Sequence, residues 1–324
     1  MGTMRLVVDG GGRSFPKEAG VDQLPELLAN RLNRLWLDIS DPGSEDVELL
    51  RRVFGFHELT LEEVTRPHER PRCDDHDGYY FIVVYAVECT ENEFRPRELN
   101  LFWGANYLVT IHRRPAAVLA LLEEARKRWE QHEGREAYGI ASLAYTLFES
   151  LVDGYFTVED RLRERIERIE DSVFAGVEGA AADIFRLRKD LLQVPRLLSP
   201  TSNVLEEVLR REREIPAGLR PYFADVQDHA MHVLAEMDTY RDLLSAALDV
   251  QIFYAFNRLG TVMKRLTAIT VIIMVPTFVA SVYGMNFAHL FPPSQWRYGF
   301  LVVVAFLGCM IAWGFIHSRL LRWL

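Results

Sequence analysis

The rhythm of apolar and polar positions changes twice along this chain. From Met4 to about Gly134, short runs of β-branched and aromatic residues alternate with amphipathic stretches, which marks a mixed α/β region. Arg5–Val8, Leu35–Ile39, Tyr79–Val87, Glu98–Trp103 and Tyr107–His112 predict strands. Leu24–Asn33, Glu45–Phe54 and Leu61–Thr65 predict helices, with Ser44 and Thr60 as N-caps. Pro115 opens a further helix to about Arg128, and from Glu136 onward the period is helical throughout. Gly176 and Gly179 interrupt it. A helix from Ala180 to about Leu198 follows, its end marked by Pro195 and Pro200. Pro221 suits the first turn of a last helix that reaches Tyr283, about 95 Å at about 1.5 Å per residue. Pro276 within it removes a backbone donor and predicts a local bend.

The second change of rhythm is the loss of charge. Between Leu266 and Trp296 there is no Asp, Glu, Lys or Arg. Leu266–Tyr283 and Tyr298–Ile316 are each long enough to span a hydrocarbon core, so they predict a transmembrane hairpin. Lys264 and Arg265 precede the first span, Arg319 and Arg322 follow the second, and the loop between them holds only Arg297. That bias places both termini and the large N-terminal region in the cytoplasm and turns the Gly284–Arg297 loop outward. Trp296, Tyr298, Trp313 and Trp323 fall near the span ends, where interfacial aromatics belong.

Within the first span, the polar residues fall on one line. Gly260, Met263, Thr267, Thr270, Met274, Thr277 and Ser281 follow one another at alternating steps of three and four. Continued upstream, the line passes Phe256, Phe253, Asp249, Ala246 and Asp242. One helix face therefore reads carboxylates, aromatics, Met, then hydroxyls. Small and hydroxyl residues also favour ordinary membrane helix packing, but packing does not call for carboxylates on the same line. The alternative is a pore built from several copies around a water-filled axis.

The residues Gly284-Met285-Asn286 after Tyr283, at the end of the first of two C-terminal spans, resemble the signature of the CorA family of divalent-cation transporters. Val262-Met263-Lys264-Arg265-Leu266-Thr267, the Pro221–His229 run, Tyr240-Arg241-Asp242, Leu35-Trp36-Leu37-Asp38 and Arg70-Pro71-Arg72 before Tyr79–Val84 are similar to the family elsewhere. The resemblance implies an α+β cytoplasmic domain (1–135), a long all-α stalk (136–265) and two C-terminal transmembrane helices (266–324). It implies a funnel-shaped homopentamer in the inner, plasma membrane. It also implies a selectivity filter at Gly284, Met285 and Asn286, and a hydrophobic gate at Met263, Leu266 and Met274. Asp225 falls where the family has a carboxylate that holds a regulatory cation between subunits, with Glu88 or Glu91 as the partner acid. Mg2+ is the implied cargo and regulator. The outer loop Ala288–Trp296 lacks the acidic segment usual in Mg2+-type members, and His289 in it would suit Zn2+, which keeps a zinc (or Co2+/Ni2+) transporter of the same family as the alternative.

Composition narrows the remaining classes. A net charge of −9 argues against a nucleic-acid partner. Cys73, Cys89 and Cys309 form no disulfide framework, the N-terminus has no secretory apolar region, and Gly10-Gly11-Gly12 lacks the Lys-Ser/Thr of a phosphate loop. Cys73 to Asp77 match no zinc spacing, and Asp77-Gly78 reads as a turn. No nucleophile–base set points to an enzyme. A non-conducting membrane scaffold would explain the hairpin but leave the polar line unused.

Overall fold

A computed structural model describes residues 2–10, 17–64, 66, 70–90, 94–131, 135–177, 179–210, 215–285 and 297–320. Seven strands, β1 (Thr3–Asp9), β2 (Lys17–Ala19), β3 (Arg34–Ser40), β4 (Arg72–His76), β5 (Tyr79–Cys89), β6 (Phe94–Gly104) and β7 (Tyr107–His112), form one sheet in the order β2-β1-β3-β7-β6-β5-β4. Only β3 and β7 pair in parallel. The helices are α1 (Leu24–Ala29), α2 (Ser44–Phe54), α3 (Glu58–Val64), α4 (Ala116–Gln131), α5 (Arg135–Tyr138), α6 (Ala141–Phe174), α7 (Ala180–Leu191), α8 (Gln193–Arg210), α9 (Arg220–Tyr283) and α10 (Gly299–Leu320). The chain divides into two compact units, Met1–Ala247 and Leu248–Leu324.

In the first unit, alternate residues of each strand serve opposite faces. Leu35, Leu37 and Ile39 of β3 join Leu24, Leu50, Phe56 and Leu61 in a core beneath α1 to α3. Trp36 points the other way and meets Trp129 of α4 edge-on, with centroids 6.4 Å apart. Both faces of β5 are buried, which is why its sequence is a nearly unbroken apolar run rather than an alternation.

Several boundaries differ from the sequence expectation. Residues Arg72–His76 form an edge strand that turns at Asp77-Gly78, Gly78 having φ +90°. Helix α2 begins at Ser44 with Gly43 as its cap, because Asp46 accepts the Gly43 amide at 2.8 Å and so replaces a hydroxyl cap. Thr60 lies inside α3, its hydroxyl 3.3 Å from His76 Nε2. Pro195 and Pro200 do not end a helix: Pro195 falls in the first turn of α8, where no intrahelical donor is needed, and Pro200 is carried in its interior. Gly176 and Gly179 do break the chain, both at positive φ. Pro221 stands in the first turn of α9 as expected.

In the second unit, the α9 residues from Leu248 and the whole of α10 contain two stretches long and apolar enough to cross a membrane. Ala268 and Pro276 are buried and Ile272 is half-buried on one side of α9. Gly314 of α10 has no Cβ, and a Cβ there would stand 3.1 Å from Ile272 Cγ1. That missing methyl is what lets the two helices approach so closely.

Candidate functional site

Helix α9 carries the line of polar residues, and the question is which way that line faces. In the first unit, α9 buries Phe223, Val226, Ala230, Val233, Met237 and Tyr240, then Leu244 and Ala247, at alternating steps of three and four. This stripe packs on the rest of the unit. Phe223 lies between Trp103 and Phe148, with centroids 6.3 and 6.2 Å away, and the Tyr240 hydroxyl donates to the buried Glu159 at 2.7 Å. Burial, reinforced by Glu159, pushes the Tyr240 phenol above its usual range, so it remains a donor at all physiological pH. Asp242 is exposed, and at 3.6 residues per turn it sits roughly 140–160° round the helix from Tyr240, Leu244 and Ala247.

The same relation holds in the second unit. Ala268, Ile272, Pro276 and Val279 form the inner side of α9, while Thr267, Thr270, Met274, Thr277 and Ser281 are exposed roughly 100–160° away. Met263 and Leu266 are exposed beside this line, as are Asp249 and Phe253, and Gly260 is half-exposed. The hydroxyls donate back into their own helix: Thr267 to the Met263 carbonyl at 2.9 Å, Thr270 to Leu266 at 2.8 Å and Thr277 to Ile273 at 2.7 Å. With the protons committed, each oxygen turns only acceptor lone pairs outward.

At its end, α9 stops at Tyr283, with the Gly284 amide donating to the Ala280 and Ser281 carbonyls at 3.0 and 3.1 Å. Gly284 does not adopt a left-handed conformation. Its value is steric, since a Cβ would meet the Ser281 carbonyl oxygen at 3.3 Å. Met285 is exposed; Asn286 and the loop containing His289 lie outside the described residues.

The anticipated regulatory acids stand apart. Asp225 is exposed on α9, with His229 Nε2 3.8 Å from its carboxylate. Glu88, near the end of β5, is held by Arg97 at 2.5 and 2.8 Å, and Glu91 lies outside the described residues. Among the described residues of one chain, no three potential ligands gather as a metal site.

The first unit also holds a polar network that the sequence did not reveal. Trp36 Nε1 donates to Thr110 Oγ1 at 3.1 Å, Thr110 donates to Asp38, and His112 Nε2 lies 3.2 Å from Asp38. The other ring nitrogen of His112 faces the Arg113 carbonyl. Burial alone would lower the His112 pKa, but Asp38 and that carbonyl outweigh it and the net direction is upward. Two acceptors on two ring nitrogens suit the imidazolium. The four residues come from β3 and β7, strands distant in sequence, so nothing local in the chain shows that they meet.

The family profile described as CorA-like Mg2+ transporter protein matches residues 33–322. This chain belongs to the CorA family. It is 30% identical over 293 residues to the YfjQ protein of Bacillus subtilis (strain 168), covering 87% of this chain and 88% of that one. It is 29% identical over 304 residues to the cobalt/magnesium transport protein CorA of Thermotoga maritima, covering 89% and 83%. The fold matches the complete CorA magnesium transporter structure from Methanocaldococcus jannaschii with a TM-score of 0.80, at 24% identity over 98% of each chain. CorA membership thus agrees with the resemblance carried by Gly284-Met285-Asn286 and the run Val262–Thr267.

Proposed function

We propose that this CorA-family chain is one subunit of a homopentameric channel that carries divalent cations across the plasma membrane, with both termini in the cytoplasm. The observation that carries the reading is that Asp242 on one part of α9, and Thr267 to Ser281 on the other, face away from the helices with which α9 packs. A polar line in an apolar span needs water or another polar surface, and copies arranged around an axis supply both. The residues 1–135, 136–265 and 266–324 then serve as sensor, stalk and pore.

Mg2+ is the cargo this chemistry fits best, in keeping with the magnesium and cobalt named for the relatives. Mg2+ dehydrates reluctantly, so its path must accept hydrogen bonds from coordinated water. Thr267, Thr270 and Thr277 offer acceptors alone, because their protons are already donated to the helix. Gly284, Met285 and Asn286 form the filter at the outer mouth, and Asp249 and Asp242 draw cations through the inner part. Met263, Leu266 and Met274 close the path by excluding water when their side chains converge. Asp225, with Glu88 or Glu91 of a neighbouring copy, holds the cation that keeps the path shut; for Glu88 this requires release from Arg97. Proteoliposomes loaded in parallel with Mg2+, Co2+, Ni2+ and Zn2+ gradients test the reading. Protein-dependent Mg2+ flux supports it, and Zn2+ flux with none of Mg2+ would transfer the cargo to the alternative ion.

A further inference from the structure

The first unit contains a cleft of about 1080 Å3 that no part of the ion path uses. It opens between the β3–α2 connection, β6 and the segment that follows β7. Its charge is lopsided: four guanidiniums, Arg66, Arg97, Arg113 and Arg114, face it against two carboxylates, Asp41 and Glu98. Arg97 spends Nε and Nη2 on Glu88 and keeps its Nη1 edge. Arg66 is 3.8 Å from Glu62 and Arg114 is 3.5 Å from Asp41, whereas Arg113 makes no ion pair among the described residues. His112 lies in the floor, with acceptors on both ring nitrogens.

A second observation comes from Asn100 of β6. It lines the same cleft and is 3% exposed. Its Nδ2 donates to Glu98 at 2.9 Å, which fixes the amide orientation, and among the described residues its Oδ1 has no hydrogen-bond partner. A buried acceptor without a donor is destabilising unless something donates to it. The cleft therefore combines an excess of cationic forks with one unmet acceptor. Pro42, Pro96 and Tyr85 add flat apolar wall beside them.

We infer that this cleft binds a phosphate-bearing anion that also carries a hydrogen-bond donor, the chemistry of a nucleotide. Guanidinium groups match phosphate oxygens bidentately, and a base amino group or ribose hydroxyl supplies what Asn100 Oδ1 lacks. The volume lies just above the usual ~300–1,000 Å3 of small-molecule sites. The inference stands apart from the ion path, and its test measures binding rather than flux.

The experiment is calorimetric titration of the full-length protein, in metal-free buffer, with ATP, inorganic triphosphate and citrate. ATP is expected to bind more tightly than triphosphate, and citrate to bind weakest. The Arg113→Gln/Arg114→Gln variant, altered only at exposed side chains, is expected to lose about tenfold or more in affinity for both phosphates. Asn100→Leu is expected to bring ATP down to the affinity of triphosphate, leaving triphosphate unchanged. No ATP binding at millimolar concentration, or unaltered binding by the double arginine variant, would overturn the assignment. Equal binding of citrate and ATP would reduce the cleft to a non-selective basic surface and overturn it as well.

Discussion

Ile272 of α9 and Gly314 of α10 meet so closely that a Cβ on Gly314 would stand 3.1 Å from Ile272 Cγ1, a few tenths of an ångström inside ordinary contact. This contact fixes the rotation of α9 in the hairpin and so turns Thr270 and Met274, two residues either side of Ile272, away from α10. Gly314→Ala should therefore destabilise the hairpin by about 1–3 kcal/mol, as overpacking does elsewhere. Thermal unfolding in detergent checks this, with Ile272→Ala, which removes the crowded Cγ1, expected to restore part of the loss.

Thr270→Val keeps the shape of the side chain and removes its oxygen. Its donor serves only the Leu266 carbonyl, so the helix should survive intact by circular dichroism. What is lost is an acceptor facing the proposed path. At about 1 kcal/mol for each such interaction, Mg2+ flux should fall about fivefold or more. Unchanged flux would mean that hydrated cations do not meet this face.

Met274→Asp places a carboxylate in the proposed constriction. An ionised ring there holds water and cations, so the closed state should leak even when internal Mg2+ is high. Conductance of the closed state in planar bilayers measures it; wild-type values would move the gate away from Met274.

The His112–Asp38 pair predicts how the first unit responds to pH. The folded His112 pKa lies above its unfolded value of 6.5. Protonation is thus favoured by folding, and the stabilisation is fully present below the unfolded pKa. It fades as pH rises through the folded pKa. Chemical denaturation midpoints should fall across that window in the wild type, and His112→Gln should flatten the slope while lowering stability at acid pH.

Much of this was legible in the sequence because periodicity reports faces. The strands at Leu35–Ile39 and Tyr107–His112, the two apolar spans and the line from Asp242 to Ser281 all follow from spacing, and the structure has each element in place. Three things were hidden. The stripe from Phe223 to Ala247 has the same three-and-four rhythm as the polar line, so spacing alone does not say which of the two faces packs. Pro200 inside α8 violates a local rule that tertiary packing of Leu198, Thr201 and Leu205 overrides. The Trp36–Thr110–Asp38–His112 network joins strands far apart in sequence, so neither spacing nor composition could show it.

The central claim is that the line on α9 borders water while its opposite side borders protein and lipid. Single cysteines at Thr270, Met274 and Thr277, and at Ile272, Val275 and Val279, made in a protein with Cys73, Cys89 and Cys309 replaced by Ser, test it most directly. The readout is the rate of modification by a small, charged, membrane-impermeant thiol reagent, in variants that still carry Mg2+. Fast modification of Thr270→Cys, Met274→Cys and Thr277→Cys, with protection of the other three, is the predicted result. Equal rates at both sets, or protection of the Thr270 line with modification at Ile272 and Val279, would contradict the account.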